Sequence, residues 1–283
     1  MIRFTNIVAP TLLLLTAAAS NAPAQNLVQN PWFQSSANWS IVNPTLTQIV
    51  RWNPVAIETK VDKYANAGQT VGILQRITVP GSGYYQLMIH VDTWQLGQTG
   101  GIPFRARLKQ GTTVALEASG YSNEGPDTRM VTGTLKAGTY DLEITTTTVY
   151  DSNASNYYRL VGNACFLFPV TLPAANWHLE SVPFGPKSIV IRGTFGATSD
   201  SAIYLFSTKA LSTGVKIPGF GGLLWLDPLS ASGIVVSDLM PKTTSFAIYP
   251  WTTAWPQVHC QIMELKTTGT LTLTLGSPAY SQY

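Results

Sequence analysis

Along most of this chain, apolar and polar residues alternate with period two, the spacing expected of strands that bury one face. The longest such run is Tyr84–Trp94. There Tyr85, Leu87, Ile89 and Val91 fall on one side, and Gln86, Met88, His90, Asp92 and Trp94 on the other. Phe104–Lys109 repeats the pattern, with Phe104, Ala106 and Leu108 inward and Arg105, Arg107 and Lys109 outward. After the turn at Lys136–Thr139, Tyr140, Leu142 and Ile144 point inward and Asp141, Glu143 and Thr145 outward. Further strands are predicted over Pro44–Trp52, Val55–Val61, Gly72–Val79, Val114–Ala118, Met130–Leu135, Asp141–Val149 and Tyr157–Phe168, separated by Gly, Pro, Asn and Asp turns. No long helical period interrupts them.

Residues 169–187 break the alternation. Pro169, Pro173, Pro183 and Pro186 predict a semi-rigid linker there. Beyond it lie short strands over Ser188–Phe195, Ala202–Phe206, Gly222–Leu226, Gly233–Asp238, Ser245–Pro250, Val258–Lys266 and Thr270–Leu275, again closed by turn residues. The fold class expected is all-β, with two consecutive β-sandwich domains over 25–168 and 188–283.

Composition narrows the partners. Charged residues make up only 11% of the chain and the formal net charge is +3, with no basic cluster. Nucleic acid and anionic membrane both require concentrated Lys and Arg, so neither is expected. Met1–Ala24 has a basic start at Arg3, an apolar core over Ile7–Ala19 and a small-x-small site at Ala22–Ala24. It predicts a secretory signal peptide cleaved before Gln25, and hence a secreted, extracellular or periplasmic protein. Its apolar core falls short of the ~20 residues a spanning helix needs, and no later segment qualifies. The two cysteines, Cys165 and Cys260, sit in apolar strands of different predicted domains and are expected to be buried, unpaired thiols.

The stretch Asn26–Ser40, NLVQNPWFQSSANWS, resembles the opening of galactose-binding-like jelly rolls, above all carbohydrate-binding modules with N-x-x-x-N-x-x-F-E followed by Trp. Gln34 stands where those modules carry the acidic residue. The phrases PGSGYY, ending at Tyr85, and AGTYDLEI, ending at Ile144, resemble later strands of the same sandwiches. The resemblance covers about Gln25–Phe168. It implies a jelly roll with Trp32, Phe33, Trp39, Tyr85 and Tyr140 as core anchors; the residues themselves predict a turn at Asn30-Pro31 and, since Gln34–Asn38 has no helical period, an extended chain after it. It also implies a glycan or polysaccharide as partner, and raises a structural calcium, for which Asp62, Asp127 and Asp151 are the loop carboxylates at hand. The second half is similar to a small β domain of secreted bacterial proteins of unknown role, through Gly214–Gly222, the Leu224–Pro228 phrase and Val258–Gln261.

Sugar recognition pairs an aromatic face, which stacks on pyranose C–H groups, with polar side chains that bond hydroxyls. The residues expected to share such a sheet face are Gln86, His90, Asp92, Trp94, Arg105 and Arg107, with Asp141 and Glu143, and with Trp52 and Tyr150 at the edge. The alternative is an ordinary solvated surface on which Arg105 and Arg107 pair across strands with Asp141 and Glu143. Trp251 and Trp255, in a proline-flanked loop, either stack on a glycan or plug the end of the second sandwich. Trp177-His178 reads as a staple between domains, and Gly219–Gly222 as a turn.

Catalytic signatures are missing. His90, His178 and His259 are scattered, and no nucleophile elbow, zinc motif or Cys-His pair occurs. A glycosidase needs only two suitably spaced carboxylates, for which Glu58, Glu117, Glu124, Glu143, Glu180 and Glu264 are candidates. A non-catalytic glycan-binding module is the leading expectation, a structural or adhesive cell-surface protein the second, and a polysaccharide hydrolase or lyase the third.

Overall fold

A computed structural model describes residues 25–96, 102–122, 127–180, 188–197, 201–230, 233–243, 245–248, 259–266, 272–277 and 279–280. Of Thr93–Leu96, Ser122, Trp177–Glu180, Ser188–Ile189, Ser245–Ile248 and Ala279–Tyr280 only the backbone is described. The chain divides into two compact units, Gln25–Pro169 with His178–Ser188, and Val170–Trp177 with Ile189–Tyr283.

In the first unit the strands are β1 (Ser40–Val42), β2 (Gln48–Arg51), β3 (Val55–Glu58), β4 (Lys60–Val61), β5 (Thr70–Val79), β6 (Gly83–Leu96), β7 (Ile102–Gln110), β8 (Thr113–Ser122), β9 (Asp127–Leu135), β10 (Gly138–Thr147), β11 (Val149–Tyr150) and β12 (Tyr157–Val170). One sheet has the order β1-β5-β10-β7-β8, and the facing sheet runs β2-β3-β12-β6-β9. The main strands, taken in chain order from β3, pass between sheets as a jelly roll's do, except for the β7–β8 hairpin within one sheet, with the first strand beside the last in one layer and the second beside the penultimate in the other.

The alternating pattern lays out the core as expected. Leu87, Ile89 and Val91 from β6 meet Phe104, Ala106 and Leu108 from β7 and Leu142 and Ile144 from β10, all buried in one cluster. Tyr85 and Tyr140 join them, and each hydroxyl reaches a carbonyl at a strand end, Gly81 at 2.7 Å and Lys136 at 3.0 Å. Each such aliphatic side chain contributes about 1.5–3 kcal/mol of burial.

The opening stretch behaves differently from the extended chain expected. Residues 30–38 form turns, with Asn30, Phe33 and Asn38 at positive φ (51°, 52° and 69°). Asn tolerates the left-handed region, and here Asn30 also bonds the turn it makes. Its Oδ1 accepts from Gln34 N at 2.9 Å, and its Nδ2 donates to Ser35 O at 2.7 Å. The turn delivers Phe33 and Trp39 to the core, 5.1 Å apart between ring centroids. Gly162 leaves room for them, since a Cβ there would come within 2.9 Å of Val55 and 3.3 Å of the Phe33 ring. Trp32 is a correction. It is 45% exposed, packed edge-on against Phe166, because adjacent residues in the turn cannot both face inward. The segment also bridges the layers: Leu27 N donates to Leu167 O on β12 at 2.8 Å, while the Gln75 amide on β5 exchanges bonds with the Gln29 backbone.

The expected linker carries a strand, β13 (Ala174–Glu180), whose His178 and Leu179 pair with Arg129 and Thr128 of β9. In the second unit β14 (Ser188–Thr194), β15 (Ser201–Ser207), β16 (Ala210–Val215), β17 (Phe220–Gly221), β18 (Leu224–Leu226), β19 (Val235–Val236), β20 (Met240–Pro241), β21 (Ser245–Ile248), β22 (His259–Lys266), β23 (Thr272–Leu275) and β24 (Ala279–Tyr280) follow. One sheet has the order β17-β23-β22-β15-β19, with β20 on β15 and β24 on β22, while β14 pairs β21 and β16 pairs β18. β16, β17, β20 and β24 escape the sequence pattern; the last three have two residues each, and β17 lies within the Gly219–Gly222 stretch expected to be a turn. Cys165 and Cys260 are both buried free thiols, and burial raises both above the ordinary thiol range.

Candidate functional site

The residues expected to form one sugar-binding face are divided by the fold. Gln86, His90 and Asp92 lie on the outward side of β6, and Arg105 and Arg107 on the outward side of β7. These strands belong to opposite sheets, so the two groups look away from each other across the core. The chain crosses from one layer to the other between β6 and β7, and period two says which residues leave the core without saying into which half-space.

Neither half is an open binding face. Gln86 is 1% exposed, and Met130, Ala56 and Val161, which point the same way from neighbouring strands, are buried as well. His90 is half-buried, its Nδ1 2.7 Å from Thr128 Oγ1. On the other sheet Glu143 receives Lys109 at 2.9 Å and Arg107 at 3.6 Å, and Arg76 meets Asp141 at 3.1 Å. For Arg107 the cross-strand pairing considered as the alternative is therefore what the register produces; Arg105 is exposed opposite Thr145. Trp52 is half-buried against the core rather than edging a face. The side chains of Trp94, Trp177, His178 and Glu180, and all of Glu124, Trp251 and Trp255, lie outside the described residues.

A different set of residues gathers at the β3–β12 edge. Register places Glu58 opposite Arg159 on β12 and opposite Gln48 on β2, all on the outward side. Arg159 Nε donates to Glu58 Oε2 at 2.8 Å, and its guanidinium lies 5.3 Å from the centre of the Tyr157 ring. The planar cation is thus held by a carboxylate on one side and an aromatic on the other, which fixes its free N–H groups. These side chains and Thr45, Lys60, Asp62, Lys63, Asn66 and Asn156 line an open basin of about 490 Å³.

The basin's far wall is the loop 151–156, and it is heavily pinned. Lys60 Nζ donates to Asn153 O at 2.5 Å and Asn156 O at 3.0 Å. Asp151 accepts from Asn156 Nδ2 at 2.7 Å, Tyr158 Oη at 2.8 Å and Asn153 N at 2.8 Å. The Asn156 amide, with these other donors and the Lys60 charge, holds the Asp151 carboxyl below the usual aspartate range. Burial, reinforced by the carboxylate it bonds, pushes the Tyr158 hydroxyl up to about 12. Beside the basin, Tyr64 and Tyr150 meet edge to face with centroids 5.7 Å apart.

The carboxylates considered for calcium are engaged elsewhere or stand alone. Asp151 serves its loop, Asp127 is buried against Arg129 at 3.0 Å, and Asp62 lies on the basin rim. Among the described residues no three His, Cys, Asp or Glu side chains come together. Of the carboxylates considered for hydrolysis, Glu58 and Glu143 are in the ion pairs above and Glu264 is buried 3.5 Å from Lys266. A second groove of about 570 Å³ runs along β1 and β5, but there the Gln75 amide is spent on Gln29 and the Trp39 indole is buried.

Sequence reasoning missed Arg159, Tyr157, Gln48 and Lys60, and saw Glu58 only as a spare carboxylate. Nothing local marks them. Glu58 and Arg159 are 101 residues apart, and only the β3–β12 register joins them.

No protein-family model matches the chain, and no curated protein matches it. Solved structures do. The carbohydrate-binding module TmCBM61, in complex with β-1,4-galactotriose, is similar over 52% of this chain and 99% of its own, with 11% identity and a TM-score of 0.34. A β-glucuronidase from Bacteroides uniformis matches 77% of this chain at 12% identity and a TM-score of 0.27, over 26% of its length. A β-1,2-glucanase from Parabacteroides distasonis matches 92% of this chain at 10% identity and a TM-score of 0.22, over 38% of its own. The jelly roll itself is defined by the strand order above. Among the described residues no helix is long and apolar enough to cross a membrane.

Proposed function

We propose that the first unit is a non-catalytic carbohydrate-binding module of an exported protein, and that it takes a glycan in the basin between β3, β12 and the loop 151–156. The observation that carries this reading is the Glu58–Arg159–Tyr157 arrangement, a donor, an acceptor and a ring face held in one fixed geometry at the floor of a basin of sugar-sized volume. Sugar hydroxyls both donate and accept, so a paired Arg and Glu can each bond one without either charge being stranded. Lys60, Lys63 and Arg159 face Glu58 and Asp62 around the basin, and this near balance of charge favours a neutral glycan over a polyanion.

The test is retention of the protein on a panel of insoluble and soluble polysaccharides, β-1,4-galactan, β-1,4-glucan and β-1,2-glucan among them. Arg159→Ala and Trp94→Ala are run alongside. Losing Arg159 removes hydrogen bonds to a charged group and is expected to weaken retention by about tenfold or more, since such bonds contribute about 1.5–3 kcal/mol. Retention of the wild type by no polysaccharide would sink the proposal. Loss with Trp94→Ala and not with Arg159→Ala would move the site from the basin to the end of β6.

A further inference from the structure

Tyr64 is 80% exposed, the most exposed aromatic ring among the described residues of its unit, yet it is carried on rigid backbone. It opens a short 3₁₀ turn, Tyr64–Asn66, in which Asn66 N donates to Lys63 O at 3.0 Å and Ala67 N to Tyr64 O at 3.0 Å. Gly68 N then bonds Thr148 O at 2.8 Å, and the Thr148 hydroxyl returns a bond to Asn66 O. Its partner Tyr150 is 40% exposed and is fixed by the parallel pairing of β11 with β4, Tyr150 opposite Val61 and Val149 opposite Lys60. Two large rings are therefore held edge to face in water by backbone that does not depend on them.

The same backbone forms the basin's rim. Lys60, Val61, Asp62, Lys63 and Asn66 line the basin, and Tyr64 follows Lys63 directly, one Cα–Cα step of about 3.8 Å beyond it. The chain thus carries both rings on the strand and turn that run on from the basin's rim. An apolar protein partner fits poorly, because Lys60, Asp62 and Lys63 put charges of both signs beside the rings. A sugar fits both features, with C–H groups for a ring and hydroxyls for the polar rim.

We infer that Tyr64 and Tyr150 form a second subsite continuous with the basin, so that the ligand is an oligosaccharide chain rather than a single terminal sugar. This rests on the glycan reading of the basin. The subsite adds stacking to the bonds made around Arg159, and affinity should therefore grow with chain length.

The experiment is isothermal titration of the full protein with oligosaccharides of one to four units cut from whichever polysaccharide retains it. For the wild type, affinity should rise about tenfold between one and three units, the scale of one ring-stacking contact. Tyr64→Ala should reduce that gain to about threefold or less, Tyr64→Phe should keep it, and Arg159→Ala should weaken short and long ligands together. Equal wild-type affinity at all lengths would overturn the inference and leave the basin standing. So would a Tyr64→Ala protein that keeps the whole gain, or one that loses affinity equally at every length. Retention by no polysaccharide would remove the basin reading first and this with it.

Discussion

The two units stabilise their β structure by different means. In the first, interdigitated aliphatic and aromatic side chains from both sheets make one continuous cluster, from Phe33 and Trp39 through Leu87 and Ile89 to Leu142 and Leu160. In the second, among the described residues, Leu205, Leu226 and Leu275 form one cluster, and a polar side chain, Gln261, is fully buried as well. Gln261, fully buried on β22, donates to Leu223 O at 2.6 Å and Gly276 O at 2.7 Å, and accepts from Trp225 N at 3.0 Å. One amide thus ties together the backbone entering β18 and the chain leaving β23. Ser207 does a related task nearby, donating to Asp227 O at 3.2 Å beside Ser230. Among the described residues, the first unit thus shows one continuous apolar cluster, and the second adds to its apolar residues a polar hub whose loss would leave a buried group unpaired.

That contrast can be broken most severely at Gln261. Gln261→Leu keeps the volume and unpairs one buried backbone group, at roughly 1–3 kcal/mol, and two partly buried ones at less, so chemical denaturation should show a loss of about 4 kcal/mol. A loss below about 1 kcal/mol would mean the amide is not a structural hub. In the first unit, Phe33→Ala should cost about 4 kcal/mol, mostly as a cavity beside Gly162. Its neighbour offers the sharper comparison. Trp32→Ala should cost only about 1 kcal/mol, the contact with Phe166, and equal losses at the two positions would restore Trp32 to the core.

The smallest effect concerns the basin wall. Because Asp151 has a lowered pKa in the folded protein, its contribution is present above the ordinary aspartate value of 3.8 and is lost as pH falls through the lower folded value. Melting temperature followed downward from about pH 4 should therefore fall less steeply in Asp151→Asn than in the wild type. Identical acid limbs would show that the carboxylate does not hold the loop.

What could be read from the chain alone was decided residue by residue. The inward faces of β6, β7 and β10 follow from alternation, since a strand that slipped by one residue would expose its entire apolar set. The turn punctuation and the strands it bounds follow from Gly, Pro and Asn. Cys165 and Cys260 were legible as buried thiols from their apolar neighbours. What required the tertiary structure was every relation between strands: that β6 and β7 lie in opposite layers, parting Gln86, His90 and Asp92 from Arg105 and Arg107; that Trp32 turns outward while Phe33 turns in; and that Glu58 meets Arg159 across the sheet. Local pattern fixes which way a side chain faces relative to its own strand, because backbone geometry does so over a few bonds. A site assembled from strands a hundred residues apart is fixed by register and layer, and these are set only when all the strands pack at once.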